Sequence, residues 1–474
     1  MQWGRPLCCP VLILRVLSVS RASVVKMQIQ TQLGVESLSL PAPVTNRFEA
    51  QVVSRLMWRL MPFLFLLYLV AYLDRINVSF AVLQMRGQLG LSPRAIGRAG
   101  GMFFVGYFLF QVPSNLLIEK LGVRRWIATL MVAWGIISCL MIFIRGPLEF
   151  YAMRFLLGAA EAGFFPGIIL YMKRWFPARA RALAVAWFMT TNPIAGIVGS
   201  PISGALLNLH GARLSGWQWM FLIEGLPAIL LGFAVYRFLT ELPREATWLK
   251  EDERTWLLAQ LESERIESER KFGSAQQTGS IWQAIFSLRI WMLSLVYFGV
   301  STTMYGVTLW LPSLIRELSG ISYFLIGMVA TIPFLVAAVV MVIAGKHSDR
   351  TGERRWHVAL PAFAAAAALL LAGYANSVVL MIACLAVGLA GVESMVGPFW
   401  AMATSRMTGL SAAAGIAVIN SLANLGGYFG PDIIGAFRTS NGGFRGGLIA
   451  IGATVTVSGI TALIVGRESK VEMT

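Results

Sequence analysis

Four charged residues stand inside long apolar runs, where they can do chemistry that a surface charge cannot. Asp74 and Arg75 occur in Tyr72-Leu-Asp74-Arg75-Ile-Asn77, and Arg154 and Glu161 in Arg154-Phe-Leu-Leu-Gly158-Ala-Ala-Glu161. Ionisable groups inside hydrocarbon are costly and are functional candidates by default. A guanidinium there offers a planar fork that fits a carboxylate bidentately. A carboxyl group shielded from water holds its proton to higher pH and can exchange one near neutrality. On a helix, Arg154 and Glu161 are two turns apart on one face, about 10 Å along the axis, and can bracket a partner from another helix. Asp74 and Arg75 point about 100° apart and cannot serve the same neighbour identically. One reading is that the four neutralise one another and hold helices together. The other is a binding cavity, which is favoured because buried pairs stabilise poorly compared with apolar packing.

Other chemistries lack their residues. Cys8, Cys9, Cys139 and Cys384 form no CxxC pair, and His210, His347 and His357 are scattered, so no metal site is expected. No nucleophile, base and orienting group occur in a plausible set, and no phosphate loop points to ATP; no enzyme and no cofactor are expected, beyond a proton as coupling ion. The basic residues do not gather on one face with interleaved aromatics, so no nucleic acid partner is expected.

The elements that must position these groups follow from composition. Of 474 residues, 57% are hydrophobic and 13% charged, and 39 Lys plus Arg against 23 Asp plus Glu give a net charge of +16. Soluble domains carry about 25% charged residues, and a mean hydropathy of +0.69 makes this chain mostly membrane. Runs long enough to span lie at about Met57–Leu83, Ala99–Ile118, Trp126–Ile144, Tyr151–Met172, Leu183–Leu207, Trp217–Leu239, Ile285–Pro312, Tyr323–Gly345, Val358–Tyr374, Val378–Ala403, Thr408–Gly435 and Gly447–Val465. Because backbone polar groups in lipid must be satisfied within the segment, these read as twelve helices.

Positive charge sets their direction. Arg55, Arg59, Lys120, Arg124, Arg125, Lys173, Arg174, Lys346, Arg350, Arg354 and Arg355 fall on one side together with both termini, which are therefore expected in the cytoplasm of a multi-pass plasma (inner) membrane protein. The expected division is a disordered tail over 1–54, an N-terminal six-helix half over 55–239, a cytoplasmic linker over 240–284 and a C-terminal half over 285–474. Residues 1–26 read as translation from an upstream start, with Met27 or a later codon as the true one. In the linker, Trp248, Leu249, Trp256, Leu257 and Leu258 among charges suggest one or two amphipathic helices against the cytoplasmic face, or a solvated linker.

The two halves repeat a loop. Asn115-Leu-Leu-Ile-Glu119-Lys120-Leu-Gly122-Val-Arg124-Arg125 follows the second run, and Gly345-Lys-His-Ser-Asp349-Arg350-Thr-Gly352-Glu-Arg354-Arg355 follows the eighth. Acid, base, glycine and paired arginines fall at identical offsets, as in a duplicated six-helix unit. A glycine permits the tight turn, and arginines can bond helix C-terminal carbonyls or a facing acid. Each loop thus reads as a cytoplasmic latch. The pattern resembles the signature of the major facilitator superfamily, fully in the second copy and with Asn115 and Glu119 replacing glycine and aspartate in the first. That resemblance implies an all-α polytopic fold of twelve transmembrane helices in two six-helix halves.

Tyr-x-Asp-Arg-x-Asn, Gly106-Tyr107-Phe-Leu-Phe-Gln111-Val-Pro113-Ser-Asn115, the Arg154–Glu161 spacing, Gly397-Pro398-Phe399-Trp400 and the Ala414–Pro431 stretch narrow the resemblance to the anion:cation symporter branch, bacterial organic-acid permeases in particular. The resemblance implies that Arg75 binds a substrate carboxylate, that Asp74 and Glu161 carry the coupled proton and that Arg154 pairs with Glu161. It also implies that Tyr72, Tyr107, Asn192, Trp400, Asn420 and Asn424 line the cavity. Taken alone, Tyr107 and Trp400 suit a core equally well, Asn420 and Asn424 suit helix–helix glue, and Asn192 suits a carbonyl freed by Pro193. Glu224 reads as snorkelling or capping, and Glu393, deep in the tenth run, as a specificity residue.

The function expected is import of an organic anion with protons by alternating access, the anion being a monocarboxylate or dicarboxylate such as a sugar acid, a tartrate-like or an aromatic acid. A proton-coupled drug or metabolite exporter and a non-transporting nutrient sensor are the alternatives. The expected partners are the small anion and the bilayer, with the protein a monomer.

Overall fold

The computed structural model describes residues 47–275, 286–405, 409–441 and 443–471. Fifteen α-helices and no strand occur among the described residues. They are α1 Arg47–Gln88, α2 Pro93–Leu121, α3 Val123–Leu140, α4 Pro147–Glu161, α5 Phe164–Trp175, α6 Ala178–Met189, α7 Thr191–Leu206, α8 Gly216–Phe238, α9 Glu251–Ala275, α10 Leu288–Ser319, α11 Tyr323–Thr351, α12 Arg355–Ala372, α13 Val378–Thr404, α14 Gly409–Asn441 and α15 Arg445–Val471. Among the described residues, eleven spans are long and apolar enough to cross a bilayer, with α4 and α5 together making one and α6 and α7 another. α14, 33 residues long, adds a further helix of spanning length.

The breaks within the fourth and fifth spans follow from two prolines. A proline has no N–H for the carbonyl four residues back. Pro166 cannot bond Ala162, and α4 gives way to α5 at Ala162–Gly163; Pro193 cannot bond Met189, where α6 ends. The Thr190 and Thr191 hydroxyls bond the carbonyls of Trp187 and Phe188 beside that break, at 2.6 and 2.7 Å.

The end of the bundle that carries Arg47, Val471 and both latch loops is here the latch end. Contacts joining the first six spans to the last six crowd at the opposite, far end. A Cβ on Gly97 of α2 would lie 2.4 Å from the Pro431 carbonyl oxygen of α14, and one on Gly204 of α7 would lie 2.5 Å from that of Tyr323 on α11. Such small residues let membrane helices approach backbone to backbone. The Arg94 amide donates to the Thr439 hydroxyl at 3.1 Å, and Arg98 pairs with Asp432 at 3.5 Å. At the latch end, α9 touches α14. The contacts just named shut the interior at the far end.

α9 is a single helix that docks rather than floats. Its Glu253 is buried and pairs with Arg55 of α1 at 2.6 Å. Glu264 accepts from the Ala178 amide at the start of α6 and pairs with Arg181 at 3.4 Å. Trp248, just before it, stacks on Trp175 with ring centroids 5.5 Å apart, and Trp256 meets Phe48 edge-on at 6.2 Å. Phe48 belongs to α1, which begins at Arg47. The N-terminal tail expected to be disordered as far as residue 54 is therefore helical from residue 47, because this docking gives its first turn something to pack on. Residues 1–46 and the end of the linker, 276–285, lie outside the described residues.

Candidate substrate and coupling site

The Arg75 Nε donates to Glu161 Oε2 at 2.8 Å, joining α1 to α4 in the middle of the bundle. Glu161 is fully buried, whereas the Arg75 side chain keeps 14% of its surface exposed. The pairing expected between Arg154 and Glu161 is not the one found. Sharing a helical face two turns apart brings them near, but the guanidinium that reaches the carboxylate arrives from the neighbouring helix. Arg154 is buried within electrostatic reach of Glu161 and Asp74, and its Nε and Nη1 have no hydrogen-bond partner. Both cations pack on Phe103 of α2: the Arg154 guanidinium stands 4.9 Å and that of Arg75 5.3 Å from its ring centroid. Tyr107 holds Arg75 in the same way at 5.3 Å, each such contact contributing about 0.5–2 kcal/mol. The ring can sit there because Gly158 of α4 packs on the Phe103 carbonyl, which a Cβ would approach to 1.9 Å.

Asp74 faces the other way, as the 100° offset requires. Its Oδ1 accepts from Ser138 of α3 at 2.9 Å and from Asn77 at 3.2 Å. Glu224 of α8, expected to snorkel or cap, does neither. It is buried, and its Oε1 accepts from Ser203 of α7 at 2.8 Å. The eight residues between the start of α8 and Glu224 carry it about 12 Å into the bundle, too deep for so short a side chain to regain the surface.

Across the interior stands a wall from α10 and α13. Glu393 is half-buried and has no hydrogen-bond partner among the described residues. It lies within electrostatic reach of Tyr72, Tyr297 and Tyr305. Tyr305 in turn interacts with Arg75 and packs on Phe104 at 4.3 Å, bridging the two walls. Trp400 is buried, edge-on to Tyr297 at 5.2 Å and to Phe399 at 5.4 Å, and so builds the wall's aromatic core. Asn420 and Asn424 are partly exposed one turn apart on α14, with no hydrogen bond among the described residues. Asn192 sits beside Tyr68, which stacks on Phe188 at 4.5 Å and interacts with Arg75. Phe103, Tyr68, Tyr297 and Tyr305 escaped the sequence reading. The spacings of four from Tyr68 to Tyr72 and eight from Tyr297 to Tyr305, each keeping one helical face, were the available signals.

The latch loops share a glycine turn and differ in what closes them. Gly122 and Gly352 adopt φ of +85° and +67°, open to glycine at little cost. In the second loop, Arg354 binds Asp349 at 2.7 Å and the Ser348 hydroxyl at 2.9 Å, and Glu353 accepts the Trp356 amide at 2.9 Å. Gly345 is buried nearby, Arg350 is exposed, and the Arg355 guanidinium lies 5.4 Å from the Trp356 ring. The first loop recruits an acid from outside itself. Glu241, just past α8, accepts the Val123 and Arg124 amides at 2.8 Å each and pairs with Arg174 at 2.9 Å. Arg124 also lies 5.4 Å from the Tyr236 ring, while Lys120 and Arg125 are exposed. The side chain of Glu119 lies outside the described set. Identical spacing in the two loops therefore does not mean identical contacts.

Fold and site together define a multi-pass membrane transporter with a charged, aromatic-walled interior. Residues 64–431 match the family model described as Major Facilitator Superfamily, and the chain belongs to that superfamily. A protein of Agrobacterium vitis named "Putative tartrate transporter" is 46% identical over 427 residues, covering 90% of this chain and 94% of that protein. A quinolone resistance transporter of Acinetobacter baumannii is 39% identical over 402 residues, covering 85% and 92% respectively. Among solved structures, a bacterial homologue of the human lysosomal transporter Spinster, inward-facing and occupied, matches with a TM-score of 0.69 at 15% identity, covering 89% of this chain and 98% of its own. That last likeness is one of fold.

Proposed function

We propose that this chain is a proton-coupled secondary transporter that imports an organic anion across the bacterial inner membrane, with the latch end and both termini in the cytoplasm. The observation that carries the reading is the Arg75–Glu161 bond, because a substrate carboxylate and the Glu161 carboxylate compete for one guanidinium. With the far end open, protons from outside neutralise Asp74 and Glu161, and Arg75 is free to bind the anion. Rocking then shuts the far end and opens the latch end. Glu161 gives its proton to the cytoplasm, its carboxylate takes Arg75 back, and the anion leaves. Arg154 keeps a positive charge beside both acids and favours loss of the proton at that stage. Tyr72, Tyr107, Asn192, Asn420 and Asn424 offer the anion hydrogen bonds, and Glu393 sets what the rest of it must carry. The tartrate-named relative supports a hydroxylated carboxylate as cargo.

The test is uptake of a labelled hydroxy acid into proteoliposomes under an imposed proton gradient. Accumulation is expected to follow the gradient and to lose that dependence in Glu161→Gln. Accumulation that ignores the gradient, or a Glu161→Gln variant that accumulates as well as the parent, overturns the coupling. The quinolone-resistance relative favours a second reading, export of a drug or metabolite by the same acids. Gradient-driven efflux of a quinolone with no hydroxy-acid uptake would establish it instead.

A further inference from the structure

Glu224 is an acid that the proposed cycle does not use, yet it belongs to the same buried network as Asp74. Asn77 of α1 donates to Asp74 Oδ1 and stands beside Glu224 as well. Ser138 of α3 serves Asp74 and Ser203 of α7 serves Glu224. Asp74 Oδ2, Asn77 Oδ1 and Glu224 Oε2 are all buried without a hydrogen-bond partner. Among the described residues, no cation hydrogen-bonds to either acid. Arg75 is bound to Glu161, and Arg154 acts on Asp74 only through space. The other titratable neighbours of Asp74 are Glu161, which acts on it through space from α4, and the Cys139 thiol of α3.

The donors present are two hydroxyls and one amide NH2, against four carboxyl oxygens and an amide oxygen. Buried acceptors left without a donor are expensive, and two buried carboxylates that share Asn77 with no cation bonded to either cannot both ionise cheaply. Protons on the acids supply the missing donors. We propose that Asp74 and Glu224 form one coupled pair of acids bridged by Asn77, and that Glu224 is a positioning residue setting the pH at which Asp74 releases its proton. In that release the Asp74 O–H bond breaks, the proton passes to water, and the electron pair stays on the carboxylate, held by Ser138 and Asn77. Glu224 keeps its own proton meanwhile, so the pair goes from two protons to one.

The inference rests on Asp74 as a proton carrier, but its test needs neither substrate nor gradient, so it stands or falls separately from the transport reading. The protonated-carboxyl infrared band of the full-length purified protein is followed through a pH titration in the parent, Glu224→Gln and Asp74→Asn. Glu224 ionises last, against the Asp74 carboxylate, so coupling predicts that in Asp74→Asn it titrates below the parent's later step, by about one pH unit or more. Glu224→Gln assigns that later step to Glu224 by removing it, and Asp74→Ser replaces Asp74→Asn if that variant fails to fold. A Glu224 that titrates in the Asp74 variants where it does in the parent, or at higher pH, overturns the pair.

Discussion

The Arg75 guanidinium meets the Glu161 carboxylate edge-on through Nε at 2.8 Å while Nη2 has no partner, so half of a bidentate fork is left for another acceptor. Hydrogen bonds to charged groups contribute about 1.5–3 kcal/mol each. Arg75→Ala is expected to weaken carboxylate binding by about tenfold to a hundredfold, and Arg75→Lys, which keeps charge but not the fork, by an intermediate factor. Calorimetric titration of the purified protein reads both. Removing the arginine also strands a buried acid, a change that typically costs about 3–5 kcal/mol. The double variant Arg75→Ala/Glu161→Gln should therefore melt above Arg75→Ala alone.

Gly158 makes a different prediction, about shape. A Cβ there would fall 1.9 Å from the Phe103 carbonyl oxygen and 3.0 Å from the Tyr107 amide nitrogen, both backbone atoms that cannot swing aside. Gly158→Ala is expected to cost about 1–3 kcal/mol by overpacking. Because Phe103 carries both guanidiniums, substrate affinity should fall along with the melting temperature. Unchanged melting would show that α2 and α4 separate more readily than this crossing implies.

At the latch end, Glu241 holds the start of α3 with two amide bonds and pairs with Arg174. Glu241→Ala should lower the melting temperature by an amount corresponding to about 1.5–3 kcal/mol. Its loss should leave the second loop intact, since Asp349 and Arg354 close that loop by themselves. Hydrogen exchange of the two loops distinguishes this from a general loosening.

Glu353 supplies a pH dependence outside the membrane. Partial burial acts to raise this acid, but the Trp356 and His357 amides and the His357 ring outweigh it, and the carboxyl ends below its ordinary value. A depressed acid stabilises the fold above its unfolded value and loses that effect as pH falls through the folded one. Exchange protection at the Trp356 amide should therefore exceed that of Glu353→Gln at neutral pH. The difference should close below about pH 4; a difference that persists in acid would contradict the assignment.

The spans were legible because lipid leaves a chain few options: each long apolar run had to be a helix, and Pro166 and Pro193 show where two of them break. The four intramembrane charges were legible as exceptions in a charge-poor chain. Their pairing was not. Spacing along α4 places Arg154 and Glu161 on one face but carries no information about which residue of α1 arrives opposite. The loop repeat was equally visible, whereas Glu241 comes from another segment and leaves no mark in the repeat. Glu224 looked superficial because depth along a helix, counted from an uncertain start, is difficult to judge from sequence.

The docking of α9 bears on how the protein is made. The charged partners of its anchors, Arg55 for Glu253 and Arg181 with the Ala178 amide for Glu264, all precede it in the chain. Every one of them has left the ribosome before α10 is synthesised. The helix can therefore clasp the first six spans while the last six are still being inserted, closing their exposed latch-end surface against premature association and giving the nascent chain a finished partner on which the remainder can assemble.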